Sequence, residues 1–354
     1  MKYLSIYAGS KAIGSIAEHG LKPDMVEVVA GAAGGPKWLV LCGLDRAIFG
    51  SWLMERKTPV YLVGSSVGSW RFAALAQGVD AYEKFLDAYS CQTYTTVPTA
   101  RMVSEEIGKI LDAYLDEHGI ERAFNHPYTR LNVMATRCSW PGSVERKHHV
   151  LFSMILAGLL NLMDRRLMRL FFSRTLFYDA RDLPPFFRME GFPIQQIELT
   201  RANVRLAILA SGSMPVVMEG VKDIPGAQTG MYRDAGILDY HLGIPFNSTG
   251  IVLYPHYTDR ITPGWFDKFL SWRRPEGQDI ENVVLLCPAK GFVEKLPNGR
   301  IPSREDFRLF WRHDDERMAF WGRVVSESRV LGDEFLDVLA KGTILEHLRP
   351  IEEL

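Results

Sequence analysis

A serine set among small residues, Gly64-Ser65-Ser66-Val67-Gly68, stands between an apolar run, Pro59-Val60-Tyr61-Leu62-Val63, and a segment of helical spacing over 67–77. A tight strand-to-helix turn of this kind holds a hydroxyl clear of the sheet at a helix N-terminus, the setting of a nucleophile elbow. Gly64 and Gly68 let the chain turn, Ser66 is the candidate nucleophile, and the Val67 amide is a candidate oxyanion donor. Such a serine must pass its proton to a base. Tyr232-Arg233-Asp234-Ala235-Gly236 offers Asp234 beside small residues, with Asp239 five positions on as the rival carboxylate. A second turn, Gly31-Ala32-Ala33-Gly34-Gly35-Pro36-Lys37, again joins a strand to a helix. The amides of Gly34, Gly35 and Lys37 can reach a developing oxyanion, whereas Pro36 has no N–H to give. The loop lacks the Gly-Lys-Ser/Thr ending of a nucleotide phosphate loop and does not fit dinucleotide glycine spacing. Acyl transfer is the chemistry these parts can perform together.

Nine histidines keep a Ser-His-Asp triad on an α/β-hydrolase fold open, with His256, His313 and His347 in suitable chain order. His241, close to Asp234 in sequence, is a candidate lining residue, as are Met154 and Phe171 from an apolar stretch. Lys37 either meets a phosphate head group or caps a surface.

These residues need a scaffold, and the hydropathy pattern supplies one. Apolar, β-branched runs read as strands over 25–30, 59–63, 130–136, 250–254 and 282–286. Helical spacing covers 38–54, 67–77, 80–88, 104–118 (closed by Gly119), 150–172, 200–211 and much of 303–341. Ser303-Arg304-Glu305-Asp306 resembles a helix-start box with Asp in place of Glu. Strands alternating with helices imply α/β layering. The run 150–172 is apolar on most faces. It reads as a buried helix pair, or as an acyl-chain channel or flap that docks on lipid, with Arg165, Arg166, Arg169 and Arg174 meeting anionic head groups.

The order of these motifs resembles the patatin-like phospholipase family: a Gly-rich oxyanion loop, Gly-x-Ser-x-Gly, the Ala210-Ser211-Gly212-Ser213-Met214-Pro215 stretch, then Asp followed by small residues. The likeness extends over residues 24–245 and includes the strand Val133-Met134-Ala135-Thr136. It implies a three-layer α/β/α fold with a mostly parallel central sheet and a Ser66–Asp234 dyad. It also implies an oxyanion hole from the 34–37 loop, and cleavage of lipid carboxylic esters through an acyl-serine without cofactor or metal. Ala235 stands where the family favours Gly, and Trp38 where Gly is usual. The competing reading is a lipid- or partner-binding protein on the same fold with little catalysis.

Composition bounds the rest. With 354 residues, 41 basic against 42 acidic and 47% hydrophobic, the chain lacks the basic field of a nucleic-acid binder and the polarity of a disordered one. Four scattered cysteines form neither a zinc pattern nor a disulfide framework. No secretion signal is read at the N-terminus, and the longest apolar run is too short to span a bilayer. The expectation is a cytoplasmic hydrolase with a catalytic core over 1–249 and an extension over 250–354 packed on it. Any peripheral membrane contact falls to the patch at 150–174.

Overall fold

Eleven short segments, rich in Val, Ile, Leu and Tyr, pair into one sheet in a computed structural model that describes residues 2–354. In chain order the strands are β1 (Leu4–Ala8), β2 (Val26–Gly31), β3 (Val60–Ser65), β4 (Thr129–Cys138), β5 (Phe172–Tyr178), β6 (Ile194–Glu198), β7 (Val221–Lys222), β8 (Met231–Arg233), β9 (Ile251–Pro255), β10 (Val283–Pro288) and β11 (Leu348–Pro350). The sheet order is β11-β1-β10-β9-β2-β3-β4-β5-β6, with β8 paired to β4 and β7 to β8. The central run from β10 through β4 is parallel, while β1 on β10, β5 on β4 and β8 on β4 are antiparallel. The central strands β2, β3, β9 and β10 are almost wholly buried, as a parallel sheet covered on both faces requires.

The principal helices up to residue 212 are α1 (Ser10–His19), α2 (Cys42–Gly50), α3 (Val67–Leu75), α4 (Val79–Ser90), α5 (Ala100–Tyr114), α6 (Glu117–Asn125), α7 (Lys147–Met163) and α8 (Val204–Gly212). The protein is therefore α/β, with a mostly parallel mixed sheet flanked by helices. Helix α3 packs on β3, α8 packs on β4 and on α3, and Asp314–Glu327 and Arg329–Lys341 pack on α2. The sheet runs through residue 250 without a break. Strand β9 lies directly against β2, Val26 facing Ile251, so residues 250–354 supply central strands as well as a helical layer.

Several expected elements change. Residues 35–41 form a 3-10 helix before α2. The helix expected to close at Gly119 ends at Tyr114. Asp116 then caps α6, its carboxylate accepting the Gly119 amide at 2.6 Å. The apolar run 150–172 is not one helix. Helix α7 stops at Met163, Asp164 caps a 3-10 turn by accepting the Arg166 amide at 2.8 Å, and Phe172 begins β5. Nor is α7 a buried pair. Leu151, Phe152, Ile155, Leu159, Leu162 and Met163 are all exposed, while Val150, Met154 and Ala157 face inward. No helix among the described residues is long and apolar enough to cross a membrane.

Candidate active site

The elbow forms where β3 ends and α3 begins. Ser66 takes φ 55° and ψ −126°, a strained conformation for a non-glycine residue that costs on the order of 1–3 kcal/mol. Strain of that size persists only where the surroundings fix it. The Ser66 amide donates to Ser211 Oγ at 3.0 Å, and the Ser66 carbonyl accepts the Ser69 amide at 2.9 Å. Ser69 Oγ donates to the Gly64 carbonyl at 2.6 Å and lies 2.8 Å from Ser211 Oγ. Gly68 cannot be larger, because a Cβ there would sit 2.1 Å from the Gly31 carbonyl at the end of β2.

Ser66 Oγ donates to Asp234 Oδ2 at 2.8 Å, and both residues are buried. The other carboxylate oxygen, Oδ1, accepts the Gly236 amide at 2.7 Å. The end of α8 positions this carboxylate as well: the Asp234 amide donates to the Ser213 carbonyl and the Ala235 amide to the Ser211 carbonyl, each at 3.0 Å. Burial pushes the Asp234 carboxyl above its ordinary range, opposed by Arg304, the Ser66 hydroxyl, the Gly236 amide and Lys268. Ala235 sits at φ −60°, ψ −29°, an ordinary helical conformation, so alanine carries no strain there. The rival Asp239 is committed elsewhere, its carboxylate holding Arg174 in a buried pair at 2.7 Å.

A cavity of about 380 Å³ opens on this pair. Of the residues singled out from sequence, Gly34, Lys37, Ser66, Met154 and Asp234 line it. Gly35 and Val67 are buried and outside that lining, Gly64 and Gly68 hold the elbow, and Phe171 is also outside it, packed against an apolar cluster of Met168, Phe172 and Met154 that reaches the cavity through Met154. Trp38 does not crowd the site: it is buried, with its ring stacked on Phe85 at 4.9 Å.

The chain matches no family model, and no curated protein matches it significantly.

No histidine is hydrogen-bonded to Ser66 among the described residues. His241 is a brace. Its Nδ1 accepts the Thr262 amide at 3.0 Å, its Nε2 lies 2.6 Å from the Tyr257 hydroxyl, and that hydroxyl donates to the Ala33 carbonyl at 2.8 Å. Burial holds His241 neutral, and the bond network ties the 31–37 loop to the segment after Asp234. His256 is likewise buried and pushed down to about 3, its Nδ1 set against Thr258. His313 pairs with Glu316 on the surface.

Sequence reasoning missed Lys268, Arg304, Tyr240 and the wall formed by Met214, Val216 and Trp265. Lys268 stands 4.1 Å over the Tyr240 ring and Lys37 5.0 Å over that of Tyr257. Arg165 and Arg174 turn inward to Asp267 and Asp239, so only Arg166 and Arg169 of that group face solvent. Chemically, the arrangement offers a strained hydroxyl bonded to a buried carboxylate, at the wall of a largely apolar cavity. Such a pair can form and break a covalent acyl bond.

Proposed function

We propose that the protein is a serine acyl hydrolase of the patatin-like type, cleaving carboxylic esters of lipids. The observation that carries this reading is the 2.8 Å bond from Ser66 Oγ to Asp234 Oδ2 on an elbow held at φ 55°. Backbone strain of this kind clusters at active sites, where it forms part of the mechanism.

In the proposed reaction Ser66 Oγ attacks the ester carbonyl while its proton passes to Asp234 Oδ2. The oxyanion is met by amides of the Gly34–Gly35 turn and of Val67 at the start of α3. The Ser66 amide is already spent on Ser211, which leaves the next residue to donate. Collapse of the tetrahedral species expels the alcohol, which takes the proton from Asp234. Water then attacks the acyl-serine, again losing its proton to Asp234, and the fatty acid leaves as Oγ is reprotonated. No cofactor takes part in these steps.

The surroundings fit a lipid. Leu151, Val216, Val217 and Trp265 are exposed and also line the cavity, so its mouth opens among apolar side chains. The exposed face of α7 continues that rim, with Phe269 and Trp272 beside it on the loop after β9. Solvent-facing apolar side chains around a cavity mouth suit contact with a lipid surface. A fluorophosphonate probe tests the chemistry: labelling of the intact protein and none of Ser66→Ala is expected. Failure to label, or equal labelling of both, removes the reading.

A further inference from the structure

Tyr240 enters the cavity from the end of the short helix Gly236–Asp239, which begins two residues after Asp234. Residues four apart share a helix face, so Tyr240 stands on the side of Gly236. A Cβ built on Gly236 would meet Tyr240 Cδ2 at 3.3 Å, Ala33 Cβ at 3.2 Å and Asp234 Oδ1 at 2.8 Å. The ring is thus wedged between the Asp234 carboxylate and the turn that carries Gly34. Its main chain is pinned there too. The Tyr240 carbonyl accepts the Ala33 amide at 2.9 Å, and the Tyr240 amide donates to the Pro263 carbonyl at 2.8 Å. His241 stacks on the ring at 4.3 Å.

The hydroxyl reaches the same turn. It lies 3.3 Å from the Tyr257 hydroxyl, and a Cβ on Gly34 would sit 2.8 Å from that second oxygen. The protons of this cluster are already assigned. His241 Nδ1 accepts the Thr262 amide, so Nε2 bears the imidazole proton and gives it to the Tyr257 oxygen at 2.6 Å. The Tyr257 proton goes to the Ala33 carbonyl at 2.8 Å. Tyr257 therefore has nothing to donate to Tyr240, and 3.3 Å is long for a bond in the other direction. The other polar neighbour, Lys268, stands 4.1 Å over the Tyr240 ring, and an ammonium has protons but no lone pair. Neither neighbour consumes the Tyr240 proton. It is free for a ligand at the cavity wall, beside the Gly34 turn.

We propose that the Tyr240 hydroxyl donates a hydrogen bond to the oxyanion formed when Ser66 attacks, as a catalytic residue alongside the amides of Gly34, Gly35 and Val67. This role rests on the acyl-hydrolase reading. The His241–Tyr257 pair positions it, by occupying the Ala33 carbonyl that would otherwise compete for the proton. Burial resists ionisation of the Tyr240 phenol, but the Lys268 and Lys37 ammonium groups outweigh it and hold the phenol below its ordinary value. A more acidic hydroxyl is a stronger donor to developing negative charge. That charge is absent from the bound ester, so the bond acts on kcat rather than on KM.

Tyr240→Phe in the full-length protein keeps the ring against His241 and Lys268 and removes only the hydroxyl. On a monomeric short-chain ester, kcat is expected to fall about a hundredfold, with KM changed less than threefold. Dodecylboronic acid mimics the tetrahedral species: a B–O bond forms to Ser66 Oγ as the serine proton passes to Asp234, and boron becomes anionic. Its affinity is expected to fall at least tenfold in Tyr240→Phe, while 1-dodecyl-glycerol ether, which has no carbonyl to attack, binds both proteins equally. A kcat within threefold of the parent, or an equal loss for boronate and ether, overturns the proposal. The pH profile reads the same proton. The groups facing the hydroxyl are Lys268, Lys37, Tyr257 and His241, with Asp234 beyond Gly236 and Arg304 across the cavity. Ionisation of the phenol abolishes the donor, so kcat should decline at alkaline pH, and Tyr240→Phe should lack that limb. Lys268→Met removes the nearest cation and should move the limb upward, which keeps the test standing if Tyr240→Phe does not fold. A limb that survives in Tyr240→Phe, or stays in place in Lys268→Met, overturns the proposal. Turnover with an unaffected Tyr240→Phe removes this role alone. Absence of both turnover and boronate binding in the intact protein removes the hydrolase reading and this role with it.

Discussion

The hydroxyl of Ser211 accepts the amide of Ser66 at 3.0 Å, while the carbonyl of Ser211 accepts the amide that follows Asp234. One residue at the end of α8 thus sets the spacing between the two groups of the dyad. Ser211→Ala removes the hydroxyl and leaves the Ser66 amide without its partner. Stability is expected to fall by about 1–2 kcal/mol. Because Ser66 loses a fixed position, ester kcat is expected to drop on the order of tenfold to a hundredfold. Urea unfolding and steady-state kinetics check both, and an unchanged kcat contradicts the positioning role.

Asp234→Asn keeps the shape and removes the carboxylate that accepts the Ser66 hydroxyl, the base of the proposed reaction. Ester kcat is expected to fall by about a thousandfold or more, whereas folded single substitutions of His241, His256, His313 or His347 retain most of it. The reverse pattern selects a histidine triad. Since burial raises the Asp234 carboxyl and its ionised form is the one that accepts the proton, activity falls as pH drops through that raised value. The acid limb of kcat against pH should lie above the ordinary carboxylate range.

The exposed α7 face provides a separate handle. Replacing Phe152, Ile155 and Leu159 by serine removes side chains that are 55–57% exposed, so each change should alter stability by only about 0.5 kcal/mol. If this face enters a lipid surface, losing the three should lower turnover of vesicle lipid relative to a monomeric short-chain ester by tenfold or more. An unchanged ratio on anionic phospholipid vesicles counts against docking through this helix.

The buried histidines govern acid stability. His241 and His256 are neutral when folded, with pKa values depressed mainly by burial, that of His256 to about 3. Below about pH 6.5 the unfolded chain takes up protons there that the folded chain refuses. Their contribution is complete above the unfolded value and is lost as pH falls toward the folded values, at about 1.4 kcal/mol per pH unit for each. Asp234, raised rather than lowered, acts in the opposite sense in its own window above 3.8. Urea midpoints at pH 7 and pH 5 should differ accordingly; equal midpoints contradict the neutral, buried pair.

The sequence carries those parts of the site whose geometry is local. Gly64 to Gly68 must turn at that spot, and Asp234 lies among small residues, which favours it, although Asp239 stays its rival until the structure commits that carboxylate to Arg174. Lys268 and Arg304 were not, because the Pro- and Trp-rich loop after β9 and the short turn at 303–306 reach the cavity through tertiary packing. Nothing local shows where Trp38, standing where Gly is usual, puts its bulk: its ring turns into the aromatic cluster with Phe85. Strand β5 was hidden because apolar character continues unbroken through Leu170-Phe171-Phe172, and only the cap at Asp164 ends the helical pattern. Strand β1 was passed over because its five residues find their meaning in β10, far along the chain.

The pairing of β2 with β9 bears on the order of events during synthesis. The Gly34–Gly35 turn follows the end of β2, yet one edge of that strand waits for residues 251–253 before it has a neighbour. Ser66 waits across 168 positions for its carboxylate. A ribosome that has delivered only the elbow has made a serine with no proton acceptor and a sheet open down its middle. Contacts of such long range close slowly and late. Assembly of the Ser66–Asp234 pair is therefore tied to near-completion of the polypeptide, and unfinished chains or early-truncated fragments would lack it.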